Sequence, residues 1–181
     1  STLLHMLGAL DRPDAGTVMA GGVDVFSLND REIARFRNRT FGFVFQFHHL
    51  MPELTALENV MMPCLISGMS NAEAQRRARE MLSEDVDLGG RLDHRPRELS
   101  GGEQQRVAVA RALVMRPSVV LADEPSGNLD PESSDALHDL IWSLKERFGQ
   151  SFVIVTHNQE LARRADRILK LFDGVVREVS L

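Results

Sequence analysis

The sequence predicts an α/β fold, a mainly parallel sheet covered by helices and interrupted by a helical insertion. Three observations predict it. Short apolar runs rich in β-branched and aromatic residues, at 41–45, 118–122 and 152–156, alternate with longer amphipathic stretches, the order that builds a helix-covered parallel sheet. Residues 47–98 carry helix and loop patterns without a strand, and read as the insertion. At 181 residues, 43% hydrophobic and 26% charged, the chain fits one domain with a sizeable core.

The elements follow in order. Leu3, Leu4, Met6, Leu7 and Leu10 give an opening helix its core face, and Gly8 and a turn containing Pro13 and Asp14 end it. Residues 17–25 read as a hairpin about Gly21-Gly22, with Val18, Ala20 and Val23 inward. A charged helix over 29–38 is capped at Asn29 or Asp30. The strand 41–45 follows, then Gln46. Residues 55–66 read as a helix with Thr55 as N-cap and Glu58 completing a capping box. Met61 and Met62 are read there as packing residues. A second helix over 71–82 sets Ala72, Ala74, Ala78 and Leu82 among Arg76, Arg77 and Arg79, a solvated face. Residues 89–98 are a loop. Residues 99–105 are a glycine-containing turn opening a helix striped by Val107, Val109, Ala110, Leu113 and Val114, which Pro117 stops. The buried strand 118–122 ends in Asp123-Glu124-Pro125. From Ser134 an amphipathic helix runs through Leu137, Leu140, Ile141, Leu144 and Phe148 to Gly149. A strand at 152–156, a short helix through Leu161 and Ala165, a strand at 168–172, a turn at Asp173-Gly174 and a last strand complete the chain.

Composition excludes several classes. The net charge of −5 gives no overall basic field for a nucleic-acid partner. A single cysteine, Cys64, forms no internal disulfide and reads as a small buried hydrophobe. No apolar run approaches the roughly 18 residues of a membrane span, and no signal-peptide pattern is visible. Membrane association is therefore expected through a partner. His48 and His49 are adjacent, which no helix face would bring onto one metal, so they read as a metal-free surface loop.

Two stretches carry chemistry. Ser100, Gly101 and Gly102 stand where a helix begins, with unpaired N–H groups and the positive end of the dipole, and glycine lets an anion approach closely. Asp123 and Glu124 stand at the C-terminal end of a buried strand, where carboxylates are costly without a cation and where α/β proteins bind ligands. Each stretch alone also has a plain explanation, an N-cap for Ser100 and surface carboxylates for the pair. Their succession in one run is what favours a nucleotide site.

The run LSGGEQQRVAVARAL, followed by VVLADEPSGNLD and then VIVTHN, resembles the signature motif, Walker B strand, D-loop and switch-histidine strand of ATP-binding cassette ATPases. The resemblance spans essentially the whole chain and implies a P-loop NTPase-like fold over residues 1–181, with ATP and Mg²⁺ as ligands. It implies Mg²⁺ contacts at Ser1, Gln46 and Asp123, a water-activating Glu124, and His157 at the γ-phosphate. It implies nucleotide contacts at Ser1, Thr2 and Gln46. Ser100, Gly101, Gly102 and the D-loop Asp130 would instead face a second cassette in a head-to-tail homodimer. Ser1 stands where the hydroxyl residue ending a Walker A loop would stand. The glycines and lysine of that loop are not in this sequence, so the expectation is a chain lacking its first strands and most of its phosphate cradle, inactive alone.

The segment FQFHHLMPELTALENVMMPCLI is similar to the ATP-binding subunit of bacterial lipoprotein-releasing systems. That similarity implies a peripheral place on the cytoplasmic face of the bacterial inner membrane. It also implies integral-membrane subunits docking at residues 48–62, through apolar Leu50, Met51, Leu54 and Leu57. Macrolide-export and cell-division cassettes share much of the pattern. A soluble cassette acting on DNA or ribosomes is opposed by the acidic charge and the absence of a long coiled-coil insertion.

Overall fold

The computed structural model of the chain describes residues 1–179. Helix α1 (Thr2–Leu7) leads into a hairpin of β1 (Met19–Ala20) and β2 (Val23–Asp24), which turns at Gly21 and Gly22 with φ of 56° and 79°. Both values lie in the left-handed region that a two-residue hairpin turn demands and that glycine enters without strain. Helix α2 (Asp30–Thr40) starts at the Asn29 cap, where Asn29 and Glu32 form a reciprocal capping box. It runs straight into β3 (Phe41–Phe45).

Next come α3 (Ala56–Ile66), capped by Thr55 and Glu58 as expected, and α4 (Asn71–Glu80). A π-helical turn (Met81–Asp85) and two 3₁₀ turns lead to α5 (Gly101–Leu113). Then follow β4 (Val119–Asp123), α6 (Pro131–Phe148), β5 (Ser151–Val155), α7 (Gln159–Arg163) and the antiparallel hairpin β6 (Ile168–Phe172) and β7 (Val175–Val179).

The parallel sheet has the order β3-β4-β5. Its register aligns Phe45 with Asp123 and Asp123 with Val155. The residues that leave the sheet next, Gln46, Glu124 and Thr156, therefore emerge side by side at its C-terminal end. That is the crevice end of an open α/β sheet. Helix α5 lies tightly on β3. A Cβ added at Gly42 would stand 2.4 Å from the Ala112 carbonyl oxygen, so only glycine permits this approach. One continuous cluster of buried residues joins α3 and α4 to α5, β4 and α6, including Val60, Met61, Ala78, Leu82, Val109, Leu113, Val120 and Ile141.

Several expectations are corrected. In the opening helix only Leu4 is buried, against Phe41 and Leu121, while Leu3 and Leu10 are exposed. The helix is short, and Leu10 lies beyond its end, off the face that meets the sheet. Helix α6 begins at Pro131 rather than near Ser134. Asp130 caps it and proline occupies the first turn, where its missing N–H costs nothing. The last two strands, joined by the expected turn at Asp173-Gly174, pair with each other in a separate antiparallel sheet.

Candidate active site

Five of the sequence-predicted residues, Ser1, Gln46, Asp123, Glu124 and His157, fall around two cavities at the C-terminal end of the sheet. The first, about 430 Å³, is lined by Ser1, Gln46 and Asp123 together with His5, Phe45 and His49. The second, about 300 Å³, is lined by Glu124, Ser126, Gly127, His157 and Asn158 among others. Asp123 and Glu124, consecutive at the end of β4, thus serve one cavity each.

In the first cavity the Ser1 hydroxyl donates to Asp123 Oδ2. Gln46 and Asn128 form a reciprocal amide pair. Gln46 Nε2 donates to Asn128 Oδ1 at 3.0 Å, and Asn128 Nδ2 donates to the Gln46 carbonyl at 3.1 Å. Gln46 therefore keeps Oε1 as its atom for a cation. A hydroxyl, a carboxylate and an amide oxygen are the hard donors that Mg²⁺ prefers. No group of three His, Cys, Asp or Glu side chains is arranged around a metal among the described residues. Mg²⁺ is commonly held by one or two carboxylates together with substrate phosphates. The donor set fits that mode. Thr2 lies exposed in the first turn of α1 and does not line the cavity.

In the second cavity Glu124 has φ 45°, a left-handed conformation uncommon for a residue with a side chain. Its backbone N–H donates to Val155 O at 2.8 Å, which holds the turn against the end of β5. The carboxylate is fixed on both oxygens. Oε1 accepts from the His157 N–H and from His157 Nδ1, both at 2.8 Å, and Oε2 accepts from Thr156 Oγ1 at 3.1 Å. The His157 side chain is 84% exposed, so the ring is open to whatever enters.

Ser100, Gly101 and Gly102 line neither cavity. Ser100 caps α5: its Oγ accepts from the Glu103 N–H, and its own N–H donates to Glu103 Oε2 at 2.8 Å. That bond, with Arg91, holds the Glu103 carboxyl below its usual range. Asp130 is exposed and caps α6. Ser133, first through its side chain and then through its N–H, lowers its pKa. The N-cap role considered for Ser100 is thus realised here, and Asp130 caps a helix as well.

The sequence patterns assign no role to several other residues at the site. Gln105 is fully buried in α5 and bonds to His48, Phe45 O and Pro125 O. Arg111 donates to the carbonyls of His48 and His49 at 2.8 and 2.7 Å, and burial lowers its pKa. His48 is therefore half-buried and engaged, not part of a loose surface loop. His138, 3% exposed on α6, bonds through Nε2 to Ser126 Oγ at 2.8 Å, and burial pushes its pKa down. Asn59, fully buried, clamps the chain after His49, accepting from Met51 N and donating to Met51 O, Leu54 O and Thr55 O. Helical spacing held the signal for Gln105: it shares a face with Val109 and Leu113, where an amide needs partners.

The apolar residues expected to receive a partner divide. Leu57 is buried at 6% exposure, Leu50 packs against the core and Leu54 is half-buried, while Met51 is 39% exposed. Leu57 fills the core because α3 turns its first-turn face onto the loop at Leu92, where Leu57 N donates to Leu92 O. Among the described residues no helix is long and apolar enough to cross a membrane.

A family model described as ABC transporter matches residues 1–127. The lipoprotein-releasing system ATP-binding protein LolD of Geobacter metallireducens is 57% identical over 176 residues, 97% of this chain and 78% of that protein. Its counterpart in Myxococcus xanthus is 57% identical over 178 residues, 98% and 79% of the two chains. Among solved structures, a dimeric ATP-binding cassette in a post-hydrolysis state with ADP and Pi superposes with a TM-score of 0.87 at 41% identity, covering 98% of this chain and 78% of the other.

Proposed function

The chain belongs to the ATP-binding cassette transporter family, and from that premise we propose that it is the ATP-hydrolysing subunit of a bacterial lipoprotein-releasing system. The observation that carries the catalytic reading is the Glu124 carboxylate, held on both oxygens by His157 and Thr156 at the end of β4, directly after Asp123. Similarity to the lipoprotein-releasing relatives supports the choice of transport system.

Water attack on the γ-phosphate needs positioning and electrostatic stabilisation more than covalent chemistry. Glu124 orients the attacking water and accepts its proton as the new P–O bond forms and the bond from the γ-phosphorus to the bridging oxygen breaks, so that ADP leaves. His157 holds Glu124 in place and offers its exposed ring to the γ-phosphate. Ser1, Asp123 and Gln46 would hold Mg²⁺, which would supply charge neutralisation at the phosphate oxygens. Asn128 sets the direction of the Gln46 amide.

Residues 47–98 form the helical insertion, and Ser100, Gly101, Gly102 and Asp130 face the nucleotide of a second copy in a head-to-tail dimer. Support comes from the position of the signature residues outside both cavities and from the dimeric relative. The nucleotide then touches both copies only when they are closed, so binding favours closure and hydrolysis releases it. The membrane subunits meet the cassette around residues 48–62, which places it peripherally on the cytoplasmic face of the inner membrane.

The test is Glu124→Gln in the full gene product. The amide still fills the site but cannot take a proton. Turnover is expected to fall by about 10²–10⁴, the usual contribution of a positioned acid or base, with ATP binding kept and closed dimers accumulating on gel filtration. Near-normal turnover reassigns the role to His157.

A further inference from the structure

Gln105 is a fully buried amide with three partners in three different segments. Its Nε2 donates to Phe45 O at 3.2 Å and to Pro125 O at 2.5 Å, and its Oε1 accepts from His48 Nδ1. Phe45 is the last residue of β3, immediately before Gln46. Pro125 immediately follows Glu124. The Phe45 carbonyl stands at the end of the β3 ladder and the Pro125 carbonyl just beyond the end of β4. Both N–H groups of the amide are used on them, and its oxygen fixes His48 as an Nδ1–H donor. Further along the same helix, Arg111 donates to the His48 and His49 carbonyls. This second tie holds His49 at φ 46°, a conformation that persists only where its surroundings impose it. The exits of β3 and β4 are thus bolted to α5, the helix that Ser100 caps and that opens with Gly101 and Gly102.

We propose that Gln105 is a positioning residue for hydrolysis, which sets the turn bearing Glu124 against α5 and the exit of β3 and so places the carboxylate over the attacking water. The proposal rests on the ATPase reading above. Gln105 touches no nucleotide; it acts through Pro125 and Phe45.

The test uses dimers of the full gene product in which one chain carries Glu124→Gln, so that one site turns over. Gln105→Met, which keeps length and packing but none of the hydrogen bonds, is placed either on the chain with the intact Glu124 or on the other. With the substitution beside the intact Glu124, kcat is expected to fall by about 10- to 100-fold, with KM for ATP little changed, the pattern of an interaction needed only in the transition state. With it on the other chain, kcat is expected to stay close to that of the unsubstituted mixed dimer.

Loss confined to the other chain overturns the proposal and makes Gln105 a support of the signature alone. Equal loss in both arrangements, or none in either, also overturns it. If Gln105→Met does not fold, Gln105→Glu takes its place, since it keeps the length and the acceptor for His48 but removes the N–H donors to Phe45 O and Pro125 O. A several-fold fall in kcat beside the intact Glu124 is then expected, and an unchanged kcat overturns the proposal. Absence of turnover in the wild-type dimer contradicts the ATPase reading itself, and so is distinguishable from either result.

Discussion

Glu124 Oε1 accepts two hydrogen bonds from one residue, His157, at 2.8 Å from its backbone N–H and 2.8 Å from its Nδ1. The two donors have different sources, and this makes their contributions separable. His157→Ala keeps the backbone donor, which belongs to the chain leaving β5, and removes the ring. The carboxylate then retains one bond on Oε1 and the Thr156 hydroxyl on Oε2. His157→Ala is expected to lower kcat by about 10²-fold, at the low end for a group acting on proton transfer, with ATP binding retained. Steady-state kinetics beside equilibrium binding of ATP checks this. Loss of binding with kcat intact would make the ring a ligand contact alone.

The reciprocal amide pair of Gln46 and Asn128 predicts a metal phenotype. Asn128→Ala removes the partner that sets the Gln46 amide, leaving its oxygen free to turn from a cation. The Mg²⁺ concentration for half-maximal turnover is expected to rise, and excess Mg²⁺ to restore most of the rate. A group that hydrogen-bonds to a metal ligand typically contributes about 10–100-fold in affinity, and an effect at or below the low end fits a partner of an amide ligand. Titration of Mg²⁺ at fixed ATP reads it. An unchanged midpoint would remove Asn128 from the metal's surroundings.

Much of this site was legible in the sequence because parallel strands deliver their next residues to one end. Once residues 41–45, 118–122 and 152–156 read as strands, Gln46, Glu124 and the Thr156-His157 pair had to emerge together. Motif identity added the chemical roles. What could not be read were contacts between segments far apart in sequence. Nothing local says that Gln105 bonds to Phe45 and Pro125, or that Asn128 meets Gln46, because each bond exists only after α5 and the turn after Glu124 are packed on the sheet. Leu57 fails for the related reason that helical spacing names an apolar face without naming what covers it. The Leu10 expectation fails because the helix ends at Leu7, and the Leu3 expectation because the sheet covers only the face that carries Leu4.

His138 predicts a pH dependence of stability. Burial lowers its pKa in the folded chain, where Nε2 meets Ser126 Oγ at 2.8 Å and Asp135, Asp139, Glu160 and Arg164 stand near. In the unfolded chain the imidazole titrates near its ordinary value of about 6.5. Below that pH the unfolded chain binds a proton that the folded chain refuses, so stability falls as pH drops from about 6.5 toward the folded-state pKa. Above that range the group contributes no slope. His138→Gln is expected to flatten the acid limb of the urea midpoint measured from pH 8 to pH 5. An identical slope in the variant would assign the dependence to the carboxylates.

The docking segment supplies a pair of substitutions with opposite expectations. Met51 and Leu57 lie close in sequence, and both are apolar, yet Met51 is 39% exposed and Leu57 only 6%. The Met51 backbone is held by the buried Asn59 amide, so the position is ordered while its side chain reaches water. Exposed apolar groups on an ordered loop suit a short amphipathic helix of a membrane subunit, which would anchor its own apolar side chains there. Met51→Asp leaves a carboxylate hydrated in the isolated cassette and desolvated in the docked one. It is expected to melt normally, keep most of its basal ATPase, fail to capture the membrane subunit and lose transport. Leu57→Asp places the same charge in the core beneath α3. It is expected to cost more than about 3 kcal/mol from lost burial and an unpaired charge, visible as a large fall in melting temperature before any partner is added. Melting and capture measured on both variants separate the two roles. A Met51→Asp cassette that melts normally and still supports transport with its membrane subunits would take this loop out of the interface.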